Sequence, residues 1–221
     1  MSADDFDPLR RHMLAEIAAG TLYVSSAIGK PTLDERVMAA MARVARHEFV
    51  PVELQAYAYA NIPLPIGFDK TVSQPFIVAL MTDVLDIGPG DSVLEIGTGL
   101  GYHAAVLAQL AAKVYSIEII EELARQAKQR LQRQGCTNVE FRIGNGYHGW
   151  SEHAPFDKVL VAAAPDLIPP PLLQQLKAGG KMVVPAGLPD AQQLMFVEKD
   201  GNGRVTMREI LPVRFSQLEE P

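Results

Sequence analysis

The chain holds a single cysteine in 221 residues, Cys136. One thiol excludes an intramolecular disulfide framework and a cysteine-rich zinc site. That usage suits a reducing compartment. No run approaches the roughly 18 apolar residues that a membrane span needs. Basic charge is also scarce, with 20 Lys+Arg against 26 Asp+Glu and a formal net charge of −6. A broad nucleic-acid surface needs cations to neutralise phosphates, so this balance argues against one. Asp4, Asp5 and Asp7 precede any apolar stretch, the wrong charge for a secretory signal. There is no internal repeat and no low-complexity segment. What the chain does have is core material. It is 48% hydrophobic and 21% charged, enough apolar surface to offset chain entropy in a globular fold. The expectation is one soluble, cytoplasmic, monomeric domain without membrane or nucleic-acid partners.

The first 75 residues read as helical, then extended. Pro8–Ala19 carries Leu9, Met13, Leu14 and Ile17 at helical spacing, with Gly20 as a stop. Thr32 and Glu35 form a capping box that opens a helix to about Arg46, with Leu33, Val37, Met41 and Val44 facing inward. Pro51 opens a short third helix. Pro63 and Pro65 make Tyr59–Gly67 an extended lead-in and not a central strand. Ser73-Gln74-Pro75 starts another helix, with Ser73 as its N-cap, ending near Leu85 before Gly88-Pro89-Gly90.

From Asp91 the period changes. Strands are expected at 92–96, 114–117, 139–143, 158–162 and 181–185, and helices at 102–111, 121–134 and 172–176. Two further strands, 194–198 and 205–211, flank the turn Asp200-Gly201-Asn202-Gly203. Such alternation predicts a doubly wound α/β fold: a mostly parallel sheet with helices on both faces and an antiparallel terminal hairpin.

Glu95-Ile96-Gly97-Thr98-Gly99-Leu100-Gly101 joins the first strand of this series to a helix. Its G-x-G-x-G spacing differs from the dinucleotide G-x-G-x-x-G. Glu118 closes the next strand, 21 residues after Gly97, where a carboxylate can accept both ribose hydroxyls. Gly144-Asn145-Gly146 follows the third strand. Each feature alone also reads as an ordinary turn or a helix-terminal acid. Together, on one rim of the sheet, they outline a nucleoside site without a pyrophosphate. No second His, Cys or carboxylate at ligand spacing accompanies His103 or His148, so no metal is expected. Either histidine could face the cleft. Trp150 reads as packing, and Cys136 as a buried loop residue.

The glycine loop, the acid and the third loop resemble class I S-adenosylmethionine-dependent methyltransferases. Other segments resemble the protein-L-isoaspartate O-methyltransferase family more specifically, from about Arg36 to Leu218. They include Glu48-Phe49-Val50-Pro51, Thr71-Val72-Ser73-Gln74-Pro75 and Ala162-Ala163-Ala164-Pro165. The resemblance implies a Rossmann-like methyltransferase sheet with a helical N-terminal extension. Residues 1–75 would form the cap and active-site segment, and 76–221 the cofactor-binding core. It implies S-adenosyl-L-methionine held by Thr71, Val72, Ser73, Glu95, Gly97, Gly99, Leu100, Gly101, Glu118, Ile119, Asn145 and Gly146. Ser73 would be the catalytic residue, and the acceptor the carboxylate of L-isoaspartyl residues in damaged proteins, as a repair step. The chain departs from the family pattern in three places. Asn145 replaces an Asp, Asp69-Lys70 replaces Gly-Gln, and Ser216-Gln217 replaces Val-Pro. A methyltransferase with another small-molecule or peptide acceptor, a nicotinamide oxidoreductase and a non-catalytic binding module remain alternatives.

Overall fold

A computed structural model describes residues 6–219. Asp4 and Asp5 lie outside the described residues. Helix α1 (Asp7–Ile28) runs straight through Gly20 and ends at Gly29, which adopts φ +75°. Gly20 is therefore not a stop. A Cβ there would lie 3.0 Å from the Phe76 ring, so the glycine makes room for a neighbour. Helix α2 (Glu35–Arg43) is capped by Asp34, whose carboxylate accepts Arg36 N–H at 2.7 Å, and not by Thr32. The helix also stops short of Arg46. Leu33, Val37, Met41 and Val44 are all buried, as their spacing requires. Short 3₁₀ turns follow at Arg46–Phe49 and Val52–Tyr57, the second entered from Pro51.

The lead-in forms a small antiparallel hairpin, β1 (Leu64–Gly67) and β2 (Lys70–Val72). Pro65 is tolerated because this ladder has only two strands. Its tip, Phe68 and Asp69, has φ +54° at both residues. Asp69 thus holds a left-handed backbone where the family pattern has glycine. Helix α3 (Pro75–Leu85) is buried along all of its length, so it is apolar all round.

The main sheet is built from β3 (Ser92–Ile96), β4 (Lys113–Glu118), β5 (Val139–Ile143), β6 (Phe156–Val161), β7 (Leu176–Ala186), β8 (Gln193–Lys199) and β9 (Val205–Pro212). Helices α4 (Tyr102–Ala108), α5 (Glu121–Arg133) and α6 (Pro170–Gln175) intervene. The spatial order is β5-β4-β3-β6-β7-β8-β9. The pairs from β5 to β7 are parallel, and β7-β8 and β8-β9 are antiparallel.

Alternation along the strands sorts the core. Val93, Val114, Leu160 and Val183 face a cluster that includes α1 to α5. Leu94, Ile96, Val159, Val161, Met182 and Val184 face Trp150 and Leu172 of α6. From β3 the chain winds outward to β5, then returns to β6 on the opposite side of β3. The crevice beyond the carboxyl ends of β3 and β6 is the switch point, where such sheets take ligands.

Candidate active site

A cleft of about 640 Å³ opens at that switch point. The ends of β3, β4 and β6 form its floor, the β1–β2 hairpin and the start of α3 form one wall, and Leu211–Glu219 forms another. Of the residues singled out from the sequence, Thr71, Ser73, Gly97, Gly99, Glu118, Ile119, Asn145 and Gly146 line it. Val72, Glu95, Leu100 and Gly101 do not.

At the strand ends, Gly97 and Gly99 adopt φ +92° and +57°. Glu118 sits between the glycine loop and α5. Its Oε2 accepts Gly99 N–H at 2.8 Å and its Oε1 accepts Ile120 N–H at 3.0 Å. Each carboxylate oxygen keeps a lone pair for a further donor. A Cβ at Gly146 would collide with Ile96, so the glycine lets this loop pack directly on the end of β3, where Ile96 and Ile117 also line the cleft. Asn145 uses Oδ1 to accept Tyr147 N–H at 2.9 Å, which leaves its amide N–H₂ as the free arm.

Glu95 lies beneath the cleft and not in it. It is fully buried, and burial pushes its carboxyl up to about 8. Ser116 Oγ donates to its Oε2 at 2.5 Å and lies 2.6 Å from Thr98 Oγ1. Glu95 thereby reaches the glycine loop through two hydroxyls. Gly101 is a packing position, since a Cβ there would lie 2.8 Å from Leu131 of α5. Leu100 and Val72 are buried in the core beside it.

On the other side stands Ser73. Helix α3 begins at Pro75, Gln74 is its N-cap residue, and no cap bond comes from Ser73. Asn61 Oδ1 accepts Phe76 N–H at 3.0 Å instead. The Ser73 hydroxyl is therefore free of that duty. The Ser73 backbone is pinned by Arg46, whose Nη2 donates to Ser73 C=O at 2.7 Å while Nε donates to Ala58 C=O at 2.7 Å. This guanidinium is buried, with its carbon 4.5 Å from the Tyr102 ring centre. It has no carboxylate partner among the described residues. Lys70 and Arg214 also line the cleft. His103 is buried away from it, 3.0 Å from Thr82 Oγ1, and burial with the nearby Arg46 charge holds its imidazole down to about 3. His148 does not line the cleft, and Trp150 packs edge-on to Tyr115. Cys136 is half-buried.

The model of the protein-L-isoaspartate(D-aspartate) O-methyltransferase family, PCMT, matches residues 27–220. The chain belongs to that family. Protein-L-isoaspartate O-methyltransferase 1 of Polaromonas sp. (strain JS666 / ATCC BAA-500) is 67% identical, over 100% of this chain and 93% of the relative. Protein-L-isoaspartate O-methyltransferase 2 of Syntrophobacter fumaroxidans is 57% identical, over 98% of this chain and 89% of the relative. A solved protein-L-isoaspartate O-methyltransferase superimposes with a TM-score of 0.77 at 28% identity, covering 92% of this chain and 66% of that one. The fold of this PCMT member is thus the methyltransferase sheet that the glycine loop and its neighbours imply.

Arg46 and Asn61 escaped sequence reasoning. Each acts on backbone groups far away in the chain, and no local pattern marks such a bond. The segment Ala162-Ala163, which lines the cleft, was visible only through the family resemblance.

Proposed function

We propose that this PCMT member methylates the free carboxylate of L-isoaspartyl residues in damaged proteins, with S-adenosyl-L-methionine as donor and Ser73 at the acceptor. The observation that carries this is the convergence of Ser73, Gly97, Gly99 and Glu118 on one cleft. Its parts fit the cofactor. Glu118 would accept the ribose hydroxyls, Ile96, Ile117 and Ile119 would flank the adenine, and Gly146 would let its loop close onto Ile96 beside them. Thr71 and Asn145 line the same space. Leu100 and Gly101 would shape the loop without touching the ligand, and Glu95 would steady it through Ser116 and Thr98.

Bound S-adenosyl-L-methionine supplies an electrophilic methyl on a sulfonium. The acceptor carboxylate is already ionised at neutral pH, so the chain need not provide a general base. This agrees with the placement of His103, which is buried off the cleft as a neutral ring. Ser73 would orient the carboxylate through its hydroxyl, on a backbone that Arg46 fixes. Catalysis then rests on alignment of acceptor oxygen, methyl carbon and sulfur, a contribution of several kcal/mol in well-held geometries. Ile66, Phe76 and the segment Val213–Leu218 would exclude water from that line.

We further infer that the protein is a monomer in the cytoplasm that acts on protein and not on nucleic acid. Residues 1–75 would serve as cap and acceptor wall of one domain, with 76–221 as its cofactor core. The acidic net charge supports the choice of partner. Among the described residues no helix is long and apolar enough to cross a membrane.

Calorimetric titration with S-adenosylhomocysteine, followed by methyl incorporation into an isoaspartyl peptide and its normal aspartyl twin, tests the assignment. Glu118→Ala should weaken cofactor binding by about 1.5–3 kcal/mol, the loss of charge-assisted bonds. Ser73→Ala should lose methyl transfer while binding S-adenosylhomocysteine within a few-fold. Equal transfer to both peptides, or full activity in Ser73→Ala, would overturn the respective assignment.

A further inference from the structure

Beyond β9 the chain continues as a strap, Val213–Leu218, along one wall of the cleft. The β8–β9 ladder ends at the pair Gln193–Pro212. One residue further, Val213 N–H still donates to Gln192 C=O at 3.1 Å. Among the described residues no backbone group then bonds to Phe215. The Gln192 side-chain amide takes that place: its Oε1 accepts Phe215 N–H at 2.6 Å and its Nε2 donates to Phe215 C=O at 3.1 Å. The second Nε2 hydrogen reaches Gln217 Oε1 at 3.1 Å. Gln217 in turn donates to Asp166 Oδ1 at 3.0 Å. Ala164, just past the lining residues Ala162 and Ala163, accepts Leu218 N–H at 2.9 Å and donates to Ser216 C=O at 2.8 Å.

We propose that Gln192 is a positioning residue for the methyl acceptor, its buried amide setting where the strap stands as a wall of the cleft. The inference rests on the acceptor side being the wall of Ser73 and the strap. Gln192 is 3% exposed, and a buried amide is retained in a fold only when its donors and acceptors are satisfied. Here those partners belong almost wholly to the strap. The strap touches neither Glu118 nor Asn145 through any hydrogen bond. A shift of the strap would thus move one wall of the cleft without breaking a hydrogen bond of Glu118 or Asn145. Gln217 adds a link that the proline of the family pattern cannot make, so this chain ties its strap on one more side.

The test uses Gln192→Leu and Gln192→Glu in the full chain. Leucine matches the size and removes all three bonds; glutamate keeps an acceptor for Phe215 N–H and loses both donors. We expect the KM for an isoaspartyl peptide to rise about tenfold in Gln192→Leu, with kcat falling less. The Kd for S-adenosylhomocysteine should stay within twofold. The Phe215 amide should exchange hydrogen faster, by a similar factor. An unmoved peptide KM, or a Kd that weakens as much as the KM, would overturn the proposal. If Gln192→Leu does not fold, Gln192→Glu decides on the same two readouts. Failure of the functional reading is distinct: the unaltered chain would then bind S-adenosylhomocysteine and methylate no isoaspartyl peptide.

Discussion

Two buried titratable side chains near the glycine loop tilt stability in opposite directions. His103 ionises near 6.5 when exposed and is held down to about 3 by burial and by Arg46. The unfolded chain therefore takes up a proton that the fold refuses, and stability is lost as pH falls from about 6.5 toward about 3. Glu95 ionises near 4.5 when exposed and is pushed up to about 8, first by burial and then by Glu118. The fold keeps a proton that the unfolded chain releases, so stability is lost as pH rises through about 8. Between about 4.5 and 6.5 the slopes offset each other. Above that window Glu95 alone remains, at about 1.4 kcal/mol per pH unit. Glu95→Gln should flatten the decline between pH 6.5 and 8, read from urea midpoints; an unchanged slope would show that Glu95 is ionised in the fold. Asn145 belongs to the same scale. Its Oδ1 is committed to Tyr147 N–H. Asn145→Asp would keep that bond and turn a second acceptor toward the adenine amino group. Cofactor affinity should rise by about 1 kcal/mol, measured by titration. Weaker binding would mean that the loop is adapted to the amide.

Elements were legible where their own residues decide them. Strands β3 and β5 fall on the expected residues, and α5 and β4 within one or two, because period and β-branching act locally. Strand β7 starts ahead of the expected 181–185, because its first residue, Leu176, pairs with Phe156 of β6, a contact that depends on the partner strand. The misjudged caps share one cause. Thr32 and Ser73 have the right chemistry, yet Asp34 and the distant Asn61 serve the N–H groups in question. Gly20 misled for a related reason, since glycine in a helix signals either an end or a close neighbour. Gly20→Leu separates these. Leucine favours helix, but its Cβ meets the Phe76 ring at 3.0 Å. Overpacking should win, with a loss of about 1–3 kcal/mol in chemical denaturation. A gain in stability would return Gly20 to the role of a weak helix residue.

At the scale of the molecule, the alternation of strands and helices was enough for the doubly wound class, and the glycine loop marked the rim on which the cleft opens. The strand order was not readable, because pairing depends on contacts between residues far apart in the chain. The site was half readable on the same grounds. Gly97, Gly99, Glu118 and Asn145 sit at successive strand ends, where position in the fold follows from order in the sequence. Ser73 gave a local signal, but its support from Arg46 and the strap's support from Gln192 did not.

That strap also bears on how the protein is made. Synthesis delivers the glycine loop, Glu118 and Asn145 well before Val213–Leu218. A nascent chain can thus fold the cofactor side of its sheet while one wall of the cleft is still unmade. The wall formed by Val213–Leu218 therefore closes after the rest of the cleft, when the strap pairs with Gln192 and Ala164.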